Sequence, residues 1–593
     1  MELYIGKNVC EPDGYKKRIS FKSFEVWTKF LSNERGHYYD AVLDDVLYAV
    51  FGDLYKIEGC DNPAEICARA CMDGGLDEVF DVDGDFIFIK IVEENEITIL
   101  QSNYGGPNFY YKLSGKDMAF STNASLLMDD FSETDIDDRS VCDYLLYGSM
   151  IGGNTFSKRV KALLRGQSLS VKNGNIEVKN QRVIRFDSEY NSLDEDEIIN
   201  ILVEKYLNAV DKRARGKIKE SAMFLSGGKD SRLTLSAHSK LFEDKISCIS
   251  FGQFGNDETR NAGITASINE NPFILVNLSP DEYIKNAARY IEESIGMDWF
   301  PQSYVISVLD RVDGFKYLFT GSNLSDICFH SKYMDEHIGT FIGSFTEYMR
   351  QFHSKARMNG FSKEKLRWIC GEKSDGLHEL DHLDEDTAKY DGKPEDIFVG
   401  YLNNTNGANQ ISFRTNVFAG KYMDVYDPSQ DKEYIEAICH LPLSMRLSDT
   451  IHVKMIQNIN PDYLKPVYND YKIPMQETRL YERAAAIEAQ REQLYIQMMR
   501  EWNPNHKDKF YYPHDYADFN GFMKYDASWI AYMDDMLLDR DAVIYKRYFV
   551  FEKVEQMLLE HRADVRNWKK ELILLASLEQ FFRIYCRGKN HAD

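Results

Sequence analysis

Several things are scarce or missing in this sequence of 593 residues. Its ten cysteines are scattered, Cys67 and Cys71 being the closest pair, and no CxxC pair points to zinc, an iron-sulfur cluster or a disulfide framework. They read as reduced thiols. No run approaches the roughly 20 apolar residues of a membrane span. The start, Met1-Glu2-Leu3-Tyr4-Ile5, has no basic flank ahead of an apolar stretch, so the expectation is a cytoplasmic protein without a membrane partner. Positive charge is in deficit: 71 Lys and Arg against 95 Asp and Glu leave a formal charge of -24, which opposes a general grip on nucleic acid. A Walker A loop, GxxxxGK followed by Ser or Thr, does not occur. Nor does an internal repeat or a low-complexity tract.

What is present is the material of folded domains. Apolar residues make up 44% and aromatics 13%, too many for a disordered chain. The length exceeds the roughly 250 to 300 residues at which one core stops growing, so two or more domains are expected. From Ala41 to Met128 short apolar runs such as Val46 to Phe51, Phe86 to Ile89 and Glu96 to Leu100 alternate with Gly, Asn and Asp, the pattern of antiparallel strands. An acidic stretch, Asp187 to Asp196, precedes a helical spacing at Ile198, Ile201, Leu202, Tyr206 and Leu207, and the domain boundary is placed there. Beyond it, strands Ala222 to Leu225, Ile246 to Phe251 and Tyr317 to Phe319 alternate with helices, which predicts a doubly wound parallel sheet. From about Tyr481 the chain reads as helical. The expected fold class is thus α/β, with domains at 1–190, 191–480 and a helical extension at 481–593.

One loop carries chemistry. Ser221 to Leu225 reads as a buried strand, Ser226-Gly227-Gly228-Lys229-Asp230-Ser231 as a glycine-containing turn, and Arg232 to Leu235 as the start of a helix. Two glycines allow close approach of a ligand, successive amides at a helix start favour an anion, and the serine hydroxyls add donors. A polyphosphate fits this cradle. Asp230 would repel phosphate unless a cation intervened, so its natural role is to hold Mg²⁺, and the loop implies ATP with Mg²⁺. A lone GG dipeptide would read as an ordinary turn with a helix cap; the complete hexapeptide after a strand does not. Ligands of doubly wound sheets sit at the carboxyl ends of strands. Leu225, Phe251, Gly321 and Ser322 complete the candidate nucleotide site.

The hexapeptide resembles the pyrophosphate loop of the ATP pyrophosphatase superfamily, whose members cleave ATP to AMP and pyrophosphate. Lys229 is shared with its tRNA-thiolating and sulfate-reducing branches, but those expect cysteine pairs or a small basic chain, and neither is present. Along nearly the whole chain the order of motifs resembles asparagine synthetase and its relatives, β-lactam synthetase, carbapenam synthetase and the lasso-peptide cyclases. Phe51-Gly52-Asp53-Leu54-Tyr55 is similar to that family's NGEIY segment, Gly59-Cys60-Asp61 to its GSD, Asp83-Gly84-Asp85-Phe86 to its GxFAF strand, and Gly106 to Tyr111 to its GxxPLYY turn. Thr155-Phe156 and Leu164-Arg165-Gly166 continue that order. Gly255-Asn256-Asp257-Glu258 with Ala262 resembles the acidic segment after the second strand, and Thr320 to Ile327 the SGEGSDE or TGYGSDI turn. Val425-Tyr426-Asp427, Leu441-Pro442, Arg446 and Lys454 look like PFLD, LP and the lysine-containing helix, and Tyr471-Lys472-Ile473-Pro474 like the mobile lysine loop. The resemblance implies an N-terminal glutaminase-like domain of the Ntn-hydrolase type, an adenine nucleotide α hydrolase-like ligase domain, Asp326 as second Mg²⁺ contact, and Lys472 as the catalytic charge on the phosphates. Lys472 alone would read as a solvated loop lysine.

The departures from that family are informative. Glutamine-dependent members expose an N-terminal cysteine, whereas position 2 here is Glu2, and Phe51 replaces the oxyanion-binding Asn. Glutamine hydrolysis is therefore not expected, and the first domain reads as a structural relic. Asn323 replaces the Glu or Tyr of the second turn and is a poor base, and Cys328-Phe329-His330 replaces DExxGG. His330 reads either as a base or as a helix-cap or packing histidine. Glu258, Glu347 and Glu364 stay as unranked carboxylates. The expected function is ATP-dependent ligation: a carboxylate is adenylated and then coupled to an amine from a source other than glutamine, as in a macrolactam or lactam cyclase. Alternatives are asparagine formation from aspartate and ammonia, and a nucleotide-binding pseudoenzyme or scaffold whose helical tail docks a partner. The expected partners are a small-molecule or peptide substrate bearing carboxylate and amine, and a second copy of the chain or another protein of the pathway. Leu558, Leu572, Leu574, Leu575, Leu578 and Phe581 favour a tail that completes the core.

Overall fold

The stretch Val46–Leu54 is buried on both faces along most of its length, as a strand must be that has a second sheet on one side and helices on the other. The computed structural model describes residues 2–7, 9–29, 37–55, 62–114, 117–180, 182, 184–321, 360–374, 376–388, 396, 418–448, 450–468, 473–475, 480–503 and 516–586. Its first strands are β1 (Glu2–Lys7), β2 (Lys16–Phe21), β3 (Phe24–Lys29), β4 (Tyr38–Leu43), β5 (Val46–Leu54), β6 (Gly84–Glu93), β7 (Glu96–Gln101), β8 (Phe109–Ser114), β9 (Asp117–Ser121), β10 (Val160–Leu163), β11 (Gln167–Lys172) and β12 (Asn175–Asn180). They form two six-stranded antiparallel sheets, in the orders β10-β8-β9-β1-β3-β2 and β12-β11-β7-β6-β5-β4.

The period of two in each strand divides its side chains between layers. Leu47, Ala49 and Phe51 of β5 and Ile87, Ile89 and Ile91 of β6 meet Leu3 and Ile5 of β1 between the sheets. Tyr48, Val50 and Phe88 point the other way, under Ala64, Cys67 and Ala68 of helix α1 (Pro63–Gly74). Burying each such aliphatic or aromatic side chain stabilises the fold by ~1.5–3 kcal/mol. Helices α1 and α2 (Leu76–Asp81) interrupt the mainly strand-like stretch Ala41 to Met128. Asn62 accepts a hydrogen bond from the Ala64 amide, Pro63 sits at the first helical position and Glu65 in the first turn, a start signal that outweighs the local turn-like composition. Gly75 ends α1 at φ +77°. The outer face of the first sheet carries Tyr4, Trp27 and Tyr110 into the main core, which also takes up Val141, Tyr144 and Leu145 of α3 (Asp138–Tyr147).

Helix α4 (Glu195–Ala214) opens the second half with a reciprocal cap: the Glu197 amide donates to Asp194 Oδ1 at 2.8 Å, and the Asp194 amide to Glu197 Oε2 at 3.1 Å. Strands β13 (Ser221–Phe224), β14 (Ser247–Gly252), β15 (Phe273–Asn277), β16 (Tyr317–Phe319) and β17 (Asp424–Tyr426) then form an all-parallel sheet in the order β15-β14-β13-β16-β17. The fold class is the expected α/β one, a β-rich sandwich followed by a doubly wound sheet with C-terminal helices. In the terminal helix Lys569–Cys586, Leu572, Leu574, Leu575, Leu578 and Phe581 are all buried. Phe581 reaches Phe156 of the sandwich, ring centroids 4.7 Å apart. Two helices, Phe551–Arg562 and Lys569–Cys586, close this C-terminal part. No helix among the described residues is long and apolar enough to cross a membrane.

Charge joins the sandwich to the parallel sheet. His37 bridges Asp53 at the end of β5 (Nδ1 to Oδ1, 2.8 Å) and Asp424 of β17 (Nε2 to Oδ2, 3.1 Å). Arg213 of α4 pairs with Asp431 at 2.7 Å and Asp85 of β6 at 3.3 Å, beneath the Tyr55 ring. Burial opposes the charge on His37, but hydrogen bonds to Asp424 and Asp53 outweigh it and lift the imidazole to about 10. A pKa raised in the folded state gives stability that is complete below the ordinary value of about 6.5 and is lost as pH rises through about 10. Replacing His37 by Gln should therefore lower stability by ~2–4 kcal/mol at pH 7, and the gap to wild type in thermal midpoint should close by about pH 10.5. A gap unchanged across that range would mean His37 acts by packing alone.

Candidate functional site

The pairing registers decide what meets at the carboxyl edge of the parallel sheet. Met223 of β13 is level with Phe319 of β16, and Phe319 with Tyr426 of β17. Phe224 is level with Ile249 of β14. Hence Leu225, Phe251 and Gly321 all lie at or just past that edge, where doubly wound sheets bind ligands. Tyr317–Phe319 lies directly beside the loop-bearing strand Ser221–Phe224. Ser322, Asn323, Asp326, His330, Glu347 and Lys472 lie outside the described residues.

The loop is held by its own hydroxyls. Ser226 Oγ accepts from the Gly228 amide at 3.1 Å, and Ser231 Oγ accepts from the Ser226 amide at 3.2 Å; the two hydroxyls are 3.1 Å apart. Helix α5 (Lys229–Leu241) begins earlier than the sequence pattern implied, so Lys229, Asp230 and Ser231 form its first turn instead of preceding it. Gly228 is the N-cap and offers no side chain, and the first amides of a helix lack intrahelical acceptors. This arrangement suits an anion placed over the helix start. A Cβ on Gly228 would come within 3.1 Å of Ser226 Oγ, so the turn is tight where phosphate would approach.

Two side chains that were not singled out in the sequence set the loop's geometry. Arg232, fully buried, donates through Nη2 to the carbonyls of Gly227 (3.0 Å) and Val467 (2.5 Å), and through Nη1 to those of Pro466 (2.8 Å) and Tyr463 (3.4 Å). Burial pushes the guanidinium down to about 10, against the pull of Tyr468, so it remains charged at neutral pH. His452, also fully buried, lies on helix Ile451–Ile459 with Nδ1 3.1 Å from Asp230 Oδ1. It stands beside one carboxylate oxygen of a side chain that keeps about a quarter of its surface (26%) exposed. Lys229 is buried, its ammonium 5.7 Å from the centre of the Tyr468 ring. Neither Arg232 nor His452 could be found from spacing, because three of the four Arg232 partners and the Asp230 partner of His452 lie more than 200 positions away. Lys454, on the same helix as His452, pairs with Glu195 of α4 at 2.6 Å and serves the packing of that helix. Arg446 is buried against Phe186 and donates to the Leu441 carbonyl.

Aromatic rings close the β14 side of the edge. Phe224 and Phe251 meet at 5.3 Å and 81°, Phe251 contacts Tyr304, and Tyr304 contacts Tyr516 from the C-terminal part of the chain. Glu258, in the first turn of α6 (Asp257–Ser267), is half-buried. Glu364 is exposed on the helix Lys363–Cys370.

In the first domain, Glu2 accepts from Tyr15 Oη at 2.6 Å and Asn123 Nδ2 at 3.1 Å, with the Lys421 ammonium at 3.7 Å. Phe51 is buried between the sheets. Both positions are thus absorbed into packing and charge pairing.

No family model matches this chain, and no curated protein matches it. Among solved structures it is similar to the allosteric regulatory enzyme of purine biosynthesis, at 7% identity over 46% of this chain and 74% of that one, with a TM-score of 0.20. It is also similar to glutamine phosphoribosylpyrophosphate amidotransferase from B. subtilis complexed with ADP and GMP, at 10% identity, 46% and 59% coverage and a TM-score of 0.18. A third is the U34-tRNA thiolase NcsA from Methanococcus maripaludis with its 4Fe-4S cluster, at 13% identity, 51% and 85% coverage and a TM-score of 0.20. With TM-scores this low, the chemistry rests on the site's own geometry.

Arg232→Met should cost ~3–5 kcal/mol, since it leaves buried carbonyls unsatisfied, while Arg232→Lys should restore only part, lacking the planar fork. Urea unfolding followed by tyrosine fluorescence reads both. Equal stability of the Met and wild-type proteins would remove Arg232 from the account.

Proposed function

We propose that this chain is an ATP-dependent amide-forming ligase that adenylates a carboxylate and then couples it to an amine. The observation that carries the reading is the loop Ser226 to Ser231 at the uncapped start of α5, level with Gly321 at the end of the adjacent parallel strand. The donor set fits ATP: backbone amides and hydroxyls for the phosphates, and strand ends lined by Phe224 and Phe251 beside them. Asp230 and, in the sequence, Asp326 would hold Mg²⁺, which when bound supplies charge neutralisation of the phosphates.

In the first half-reaction a substrate carboxylate oxygen attacks the α phosphorus, the bond to the β-phosphate oxygen breaks, and pyrophosphate leaves. The loop amides and Lys472 are the groups assigned to the charge that develops on it. In the second, an amine attacks the acyl carbon, AMP departs and one proton is lost. The residues around Glu2 support an amine that does not come from glutamine, because the position of an N-terminal nucleophile is filled by a carboxylate already bonded to Tyr15 and Asn123. An amine within the same substrate fits best, since tethering raises effective concentration by orders of magnitude. The reading is therefore a macrolactam or lactam cyclase of the asparagine synthetase type.

The test is exchange of labelled pyrophosphate into ATP across a panel of carboxylates, aspartate included. At least one carboxylate should drive exchange, and Asp230→Asn should lower it by 100-fold or more while thermal stability changes little. Exchange that survives Asp230→Asn, or efficient asparagine formation from aspartate and ammonium, would overturn this reading.

A further inference from the structure

Strands β18 (Val467–Tyr468) and β19 (Ile473–Pro474) pair antiparallel, Tyr468 level with Ile473 and Val467 with Pro474. Two residues per strand do not make a ribbon that stands alone in water, so its place is set by what it is fastened to. Three side chains of α5 do the fastening. The Ser239 hydroxyl lies 2.6 Å from Tyr463 Oη. About two helical turns earlier, Arg232 holds the carbonyls of Tyr463, Pro466 and Val467. At the start of the helix, the Lys229 ammonium stands 5.7 Å from the centre of the Tyr468 ring. Just past β19, the Met475 amide donates to the Leu464 carbonyl at 3.2 Å and closes the ribbon onto the same segment.

The guanidinium that holds the ribbon also fixes the phosphate loop. One nitrogen, Arg232 Nη2, donates to the Gly227 carbonyl at 3.0 Å and to the Val467 carbonyl at 2.5 Å, so a single atom bridges loop and β18. The other side of the Gly227–Gly228 peptide, the Gly228 amide, donates to Ser226 Oγ at 3.1 Å. A trans peptide points its C=O and N–H in opposite directions, so this peptide plane is held from both sides. Lys472 lies outside the described residues, but in sequence it is bonded to Ile473, the residue level with Tyr468. Its backbone is thus one peptide away from a strand whose position Arg232 sets.

We propose that Arg232 is a positioning residue for the ligase reaction: by closing on the Gly227 and Val467 carbonyls together, it sets where the lysine beside β19 stands relative to the phosphate loop. A charge that serves a transition state loses its effect when misplaced by about 1 Å, so the rate depends on a side chain that touches neither ATP nor substrate. This rests on the adenylation reading, in which Lys472 meets the charge developing on the departing pyrophosphate.

The experiment is a double-mutant cycle on pyrophosphate exchange by the full chain, using the carboxylate on which wild type is fastest. Arg232→Lys keeps a cation and hydrogen-bond donors but loses the planar fork. It should lower kcat about 30-fold while KM for ATP changes less than about threefold. In the Lys472→Met background the same substitution should cost less than about threefold more, because a misplaced lysine and an absent one fail alike. Tyr468→Leu removes the ring beside Lys229 without touching the loop, and should show the same non-additivity at smaller size. Amide hydrogen exchange of the unliganded proteins, read by mass spectrometry, should be faster over 466–475 in Arg232→Lys and unchanged in β5 and β6. Effects of Arg232→Lys and Lys472→Met that multiply, a loss confined to KM, or hydrogen exchange raised equally throughout the chain would each overturn the proposal. Pyrophosphate exchange absent from wild type with every carboxylate would instead overturn the adenylation reading, and the proposal with it.

Discussion

The site depends on one buried cation. Arg232 is held by carbonyl oxygens, from Gly227 in the loop and from Tyr463, Pro466 and Val467 in the segment that runs toward Lys472. A guanidinium suits this role because its planar fork can serve several acceptors in fixed directions. Desolvating it is costly, and only a nearly complete set of hydrogen bonds offsets that cost. Two parts of the chain more than 200 positions apart are thereby set in one geometry. Packing of helix Ile451–Ile459 on α5 then brings His452 to Asp230, with Nδ1 3.1 Å from Oδ1.

The first domain contributes through charge and packing. Glu2, Tyr15, Asn123 and Lys421 form one cluster, and His37, Asp53 and Asp424 another. Each spans the boundary between sandwich and parallel sheet. Burial pushes the Lys421 ammonium down to about 8, with Glu2 acting against it. Burial likewise pushes Asp427, one residue past β17, up to about 6 despite its hydrogen bonds from Ser429. Such groups are tolerated where their partners are fixed by the fold. They account for a sandwich that stays attached to the sheet and holds β17 in register beside β16, without needing a reaction of its own.

Local patterns made much of this legible beforehand. The period-two runs in β5, β6 and β7 were visible, as were the loop after β13 and the strand Tyr317–Phe319. Their parallel pairing followed from the alternation of strands and helices. Other features resist reading because their cause is distant. Arg232 and His452 look like ordinary helix residues until the chain returns more than 200 positions later. The start of α5 at Lys229 was hidden because glycine and serine mark both turns and helix starts. Helices α1 and α2 were lost among strand signals, although Asn62, Pro63 and Glu65 form a recognisable start.

The central claim is that ATP is cleaved between its α and β phosphates at the loop Ser226 to Ser231. ATP labelled at the α phosphate, followed through slow turnover by the full chain with water in place of the substrate amine, tests it most directly. The account predicts that the label leaves as AMP, with unlabelled pyrophosphate in equal amount. Label recovered in ADP would contradict it.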